Sequence, residues 1–122
     1  MVVLTGAADS FGWRLAGRHY WYSALPEHVT YYSLRWFRWA ADKLGLRLAR
    51  YRRLSSQPAG WREWFAQGAK QSLFAGMRTL IEAGVPPQLL AGLPLVGRAA
   101  HWQFPPWWPS AADHLIVVLS DR

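Results

Sequence analysis

An α/β fold is predicted by three observations. Val2-Val3-Leu4-Thr5 is a short, mostly β-branched run closed by Gly6. Ser33 opens an amphipathic helical segment that stops at Gly45 and is followed by a strand-like stretch, Leu46 to Leu54. Leu115-Ile116-Val117-Val118-Leu119 is a second uninterrupted apolar run, bounded by Asp113-His114 and Asp121. Short apolar runs of this kind are what strands buried on both faces require.

The elements follow in order. After the first strand, residues 6–32 form a long connection containing Gly6, Gly12, Gly17 and Pro26 together with Phe11, Trp13, His19, Tyr20, Trp21 and Tyr22. A connection of that length in a small domain is usually functional. Ser10 to Leu15 is expected as a short helix within it. Ser33 is a good N-cap because its hydroxyl can accept from first-turn N–H groups. Tyr32 and Phe37 are spaced for a hydrophobic staple. Leu34, Phe37, Ala41 and Leu44 make one apolar face, widened by Trp36, Trp39 and Ala40. Gly45 suits the left-handed C-terminal cap. Arginines interrupt the alternation of the strand at 46–54.

Residues 57–112 change character. Trp61, Phe65, Ala69, Leu73, Met77 and Ile81 recur every four residues and predict one helix from about 60 to 83. Gly84 and Pro86-Pro87 stop it. Pro87 to Leu93 is expected as a further short helix. Residues 94–112 are expected to be irregular, since Phe104-Pro105-Pro106-Trp107-Trp108-Pro109 fits neither a central helix nor a central strand. The whole chain, 1–122, is expected to be one domain, with 57–112 as a helical and irregular insertion.

Composition narrows the function classes. With 122 residues, 52% of them hydrophobic, the chain can bury a core. No cysteine is present, which excludes disulfides, thiolate metal sites and a cysteine nucleophile. A reducing, cytoplasmic setting is the expectation. With neither a basic leader nor a long apolar core, Met1 to Gly6 is not expected to be a signal peptide, and no apolar run approaches the roughly 20 residues of a membrane span. The net charge of +7 is concentrated in residues 1–56, with Arg47, Arg50, Arg52 and Arg53 the densest group. Nine tryptophans accompany it. Tryptophan favours boundaries between dry and wet surroundings. The alternative expectation to an enzyme is therefore a non-enzymatic, basic, tryptophan-rich module that binds an anionic membrane surface, through a segment carrying Trp61, Trp64, Trp102, Trp107 and Trp108, or a protein partner. No nucleic-acid-binding motif is present, so nucleic acid is not the expected partner.

One pattern is more specific. Pro26-Glu27-His28, the aromatic pair Tyr31-Tyr32, Ser33-Leu34 and then Leu44-Gly45-Leu46-Arg47 resemble the signature of a large bacterial group of class I S-adenosylmethionine (SAM) methyltransferases that modify small molecules, lipids or glycans. The likeness covers residues 1–54 and 113–119. It implies a partial Rossmann-like sheet. Val2–Thr5 would stand for strand five, Leu46–Leu54 for strand six and Asp113–Leu119 for strand seven, which lies antiparallel between the other two. The glycine-rich turn and the acidic residue that hold SAM in that family have no counterpart, and no G-x-G occurs in the chain. The resemblance therefore implies the substrate-side half of such an enzyme. SAM would belong to the complete enzyme and not to this chain alone, and the partner would be the missing N-terminal half or a second copy.

Candidate site residues follow. His28 is the candidate general base, since ligand crevices in open α/β sheets lie beyond the carboxyl ends of strands and a neutral imidazole can take a proton there. Glu27 is placed to orient it or to pair with an arginine. Tyr20, Trp21, Tyr22 and Tyr31 are candidates to line an aromatic substrate pocket. Arg14 and Arg18 are candidates to grip a phosphate or carboxylate. His19, His101 and His114 show no metal-like spacing, so no metal is assigned.

Overall fold

The computed structural model describes residues 1–24, 30–94, 96–97 and 99–122. The chain is mixed α/β. Strand β1, Val2–Ala7, leads into a six-residue helix α1, Phe11–Ala16, and two 3-10 turns, Gly17–His19 and Trp21–Ala24. A two-residue strand β2, Tyr31–Tyr32, precedes helix α2, Leu34–Lys43, and strand β3, Leu46–Leu54. Helices α3, Trp61–Glu82, and α4, Pro87–Ala91, follow, and strand β4, His114–Asp121, closes the chain.

The four strands form one sheet in the order β2-β1-β4-β3. The last strand lies antiparallel between the two that bracket α2, as expected: β4 pairs antiparallel with β1 from Val2↔Val118 to Gly6↔His114, and with β3 from Leu46↔Asp121 to Leu54↔His114. β2 is the parallel exception, joined to the end of β1 at Gly6↔Tyr31 and Ala7↔Tyr32.

Local chemistry explains the central unit. The Ser33 hydroxyl accepts from the Trp36 N–H at 3.1 Å and caps α2. The Tyr32 and Phe37 rings meet at 5.6 Å, the expected staple. Gly45 sits at φ 68°, where a side chain would be strained, and turns the chain straight into β3. α2 buries Leu34, Phe37, Ala40 and Ala41 against Leu115, Val117 and Leu119. Burial of each larger side chain contributes about 1.5–3 kcal/mol.

The interrupted alternation of β3 has a structural cause. The register shifts between Leu48 and Arg50. Leu48 opposes Leu119 on the core face, whereas Arg50 opposes Val118 on the other face. Without that extra residue Arg50 would share the face of Leu48 and enter the core.

Helix α3 departs from the simplest expectation of its four-residue repeat. Its buried residues are Gly68, Gln71, Phe74, Ala75 and Met77, while Trp61, Phe65 and Ala69 are exposed. A step of four residues advances about 40° beyond a full turn, so the stripe spirals around the helix from solvent to core. A second core joins α3 to the aromatic connection through Tyr20, Trp21, Tyr22, Ala75 and Trp108.

One side of the sheet stays uncovered. Val2 and Leu4 are 69% and 62% exposed and share a face with Val118 and Ile116, next to Arg50 and Arg52. The edge of β1 is open as well. Met1 and Leu119 exchange both backbone bonds, and the Ala7 N–H donates to the Asp113 carbonyl. Antiparallel alternation then turns the backbone groups of Val2 and Leu4 away from β4, and among the described residues no strand pairs with them there.

Candidate functional site at the end of the first strand

The sheet register brings Gly6 opposite His114, and this junction gathers the polar groups of the fold. Asp113 is almost fully buried at the start of β4. Its Oδ2 accepts from the Tyr20 hydroxyl at 2.8 Å, and its Oδ1 lies 2.9 Å from His114 Nδ1. His114 Nε2 faces the Tyr22 hydroxyl at 3.1 Å. The Tyr31 hydroxyl donates to the Tyr22 carbonyl at 3.0 Å. Gly6 makes the close approach possible, since a Cβ there would lie 2.5 Å from the Tyr22 ring and 2.8 Å from the Tyr31 ring.

The arrangement has a definite proton logic. An ionised Asp113 accepts from Nδ1–H, which leaves Nε2 as the acceptor for the Tyr22 O–H. Burial raises the Asp113 carboxyl above its usual range, and this outweighs the hydrogen bonds from Tyr20 and His114 that favour its charge. Burial, the Asp113 charge and Tyr31 push Tyr22 up to about 12. Tyr20 is raised as well, by burial first and then by Asp113. Both phenols therefore stay protonated at neutral pH. Tyr22 can hand its proton to His114 only as it receives another.

A second polar group lies at the β1–α1 turn. Asp9 accepts from Arg53 Nη2 at 2.8 Å and from the Leu34 N–H at 3.3 Å. Burial would raise its pKa, but the Arg53 bond and charge and the Leu34 N–H together lower it. Asp9, Arg14 and Arg53 line a hollow of about 340 Å³ with Ser10 and Phe11.

The candidates from sequence divide accordingly. Tyr20, Trp21, Tyr22 and Tyr31 are brought together, with Tyr20, Trp21 and Tyr22 buried as part of the second core. Arg14 stands apart on the Asp9 hollow. Arg18 stands apart on the surface, paired with Glu82. His28 and Glu27 lie outside the described residues. Asp113 and His114, which complete this junction, were not among the candidates from sequence. Their signal was an Asp-His pair directly ahead of an apolar strand, the place where a charged dipeptide meets a sheet end. Gln71 was missed too. Fully buried, it accepts from the Trp21 N–H at 3.1 Å and donates to the His19 carbonyl at 2.8 Å, clamping the aromatic connection onto α3.

Among the described residues no cluster of His, Asp and Glu could hold a metal ion, and no helix is long and apolar enough to cross a membrane. The β1–α1 turn does not fit SAM. It carries no glycine between Ala7 and Phe11, and its acid, Asp9, is committed to Arg53 and Leu34. No family model, curated protein or solved structure matches the chain.

Proposed function

We propose that the chain is the C-terminal, substrate-side portion of a class I SAM-dependent methyltransferase. The observation that carries the reading is the position of β4, antiparallel between the mutually parallel β1 and β3, with α2 connecting those two. The edge of β1 at Val2 and Leu4, unpaired among the described residues, and the uncovered face around Val2, Leu4, Ile116 and Val118 add support. Both are what remains when the neighbouring strand and the second helical layer belong to another polypeptide. That polypeptide would bring SAM. This chain would contribute the aromatic wall and a proton acceptor.

The chemistry assigned to this half is proton removal from a hydroxyl or amine as it is methylated. The acceptor's proton passes to the Tyr22 oxygen while the Tyr22 proton passes to His114 Nε2, and Asp113 balances the imidazolium. Calorimetric titration of SAM tests the reading, with the chain alone and with the polypeptide encoded directly ahead of it co-expressed. Saturable heat from the co-expressed pair and none from the chain alone is the expected result. A pair that forms no complex and takes up no SAM would overturn it.

A further inference from the structure

Helix α3 is apolar on more sides than its neighbours cover. Trp61 and Phe65 on α3 are 69% and 60% exposed, and Phe11 and Leu15 on α1 are 59% and 46% exposed. These are large side chains facing water, which a helix with a polar outer face would avoid. They are not scattered. Phe11 stacks on Trp64 at 6.0 Å, Trp64 meets Phe65 at 5.1 Å, and Phe65 meets Trp61 at 6.4 Å. Phe11, Trp64 and Phe65, together with Leu15, Gly68 and the buried Trp108, surround a hollow of about 360 Å³ in which Ser72 supplies the only hydroxyl among the described lining residues.

Phe11 is also a wall of the Asp9–Arg14–Arg53 hollow, so an apolar and a cationic hollow share one ring. Arg14 is exposed beside it, and the Arg62 guanidinium lies 5.3 Å from the Trp61 ring centre at the other end of the ridge. Of the acids of these segments, Asp9 and Glu82 are ion-paired, the former with Arg53 and the latter with Arg18, and the exposed Glu63, which accepts from Gln67, keeps its charge. Aromatic and aliphatic side chains flanked by arginines, on a chain of net charge +7, match an interface that is apolar below and anionic above.

We infer that this α1–α3 surface docks on an anionic lipid bilayer, with Phe11, Leu15, Trp61 and Phe65 entering the headgroup–acyl boundary and the exposed Arg14 and Arg62 meeting lipid phosphates. The surface is separate from the Tyr22–His114 junction, and the inference does not depend on the methyltransferase reading. It selects among the tryptophans: Trp61 enters the lipid, whereas Trp108 is part of the core.

Vesicle co-sedimentation tests it. The chain should bind mixed phosphatidylglycerol–phosphatidylcholine vesicles and not phosphatidylcholine alone, and the binding should fall as salt is raised. Phe65→Glu should weaken it about tenfold or more, and Arg14→Gln or Arg62→Gln about fivefold each. Trp39→Ser, at an exposed position on α2, should leave it unchanged and controls for surface aromatic loss in general. Circular dichroism of each variant should match the parent. Binding that Phe65→Glu leaves intact, binding lost equally in Trp39→Ser, or a dimer that Phe65→Glu dissolves without any vesicle binding would each overturn the inference.

Discussion

The Tyr22 hydroxyl meets His114 Nε2 at 3.1 Å, although the two residues are 92 positions apart. The contact exists because β4 returns beside β1 and sets His114 opposite Gly6, whose missing side chain admits the Tyr22 ring. One glycine and one strand register thus create the polar junction.

Gly6→Ala should break that relationship. Its Cβ would meet two rings at once, and both are held by hydrogen bonds. The cost should be about 1–3 kcal/mol, the usual range for overpacking. Chemical denaturation would measure it. In nitrogen NMR the His114 Nε2 resonance should shift as its Tyr22 partner is displaced. A variant with parental stability and an unchanged His114 spectrum would show that the ring has room to give.

Asp113 gives the fold a pH dependence of defined sign. Burial first, only partly offset by Tyr20 and His114, holds its folded pKa above the ordinary 3.8. Between those two values the folded chain binds more protons than the unfolded chain, so stability falls as pH rises through that window. Asp113→Asn abolishes this loss. The stability deficit of the variant relative to the parent should therefore shrink as pH rises from 3.8 upward. Asp9 acts in the opposite sense, because its folded pKa is lowered, and it is unchanged by the substitution. Unfolding free energies of parent and variant across this range provide the check. A deficit that grows with pH contradicts the assignment.

Gln71→Ala should be more damaging than an ordinary polar substitution. It leaves the Trp21 N–H and the His19 carbonyl without their partner in a buried place. Each orphaned group costs about 1–3 kcal/mol. The aromatic connection should loosen with it, raising Trp21 exposure to an aqueous quencher. The exposed Gln88→Ala should change stability by less than about 0.5 kcal/mol.

Much of the scaffold was legible because its determinants are local. The Ser33 cap, the Gly45 stop and the apolar runs of β1 and β4 announce themselves within a few residues. The antiparallel insertion of β4 followed from the family resemblance. The polar junction was not legible to the same degree. Tyr20 and Tyr22 stand out in the aromatic connection, but their partners Asp113 and His114 lie beyond an intervening helical region, and only the sheet register joins them. Arg14 and Arg18 are four residues apart, yet Gly17 at φ 54° ends α1 between them and sends them to different surroundings. The four-residue repeat of α3 gave the helix correctly. It did not give the buried face, because a repeat longer than 3.6 drifts out of the core.

Amide hydrogen exchange reads the open edge of β1 residue by residue. In the isolated chain the Leu4 amide should exchange fast while its neighbours Val3 and Thr5, turned toward β4, are protected. Binding of the complementing polypeptide should slow Leu4 to the rate of its neighbours. A dilute monomer in which Leu4 is already as protected as Val3 and Thr5, or a complex in which it still exchanges freely, would contradict the account.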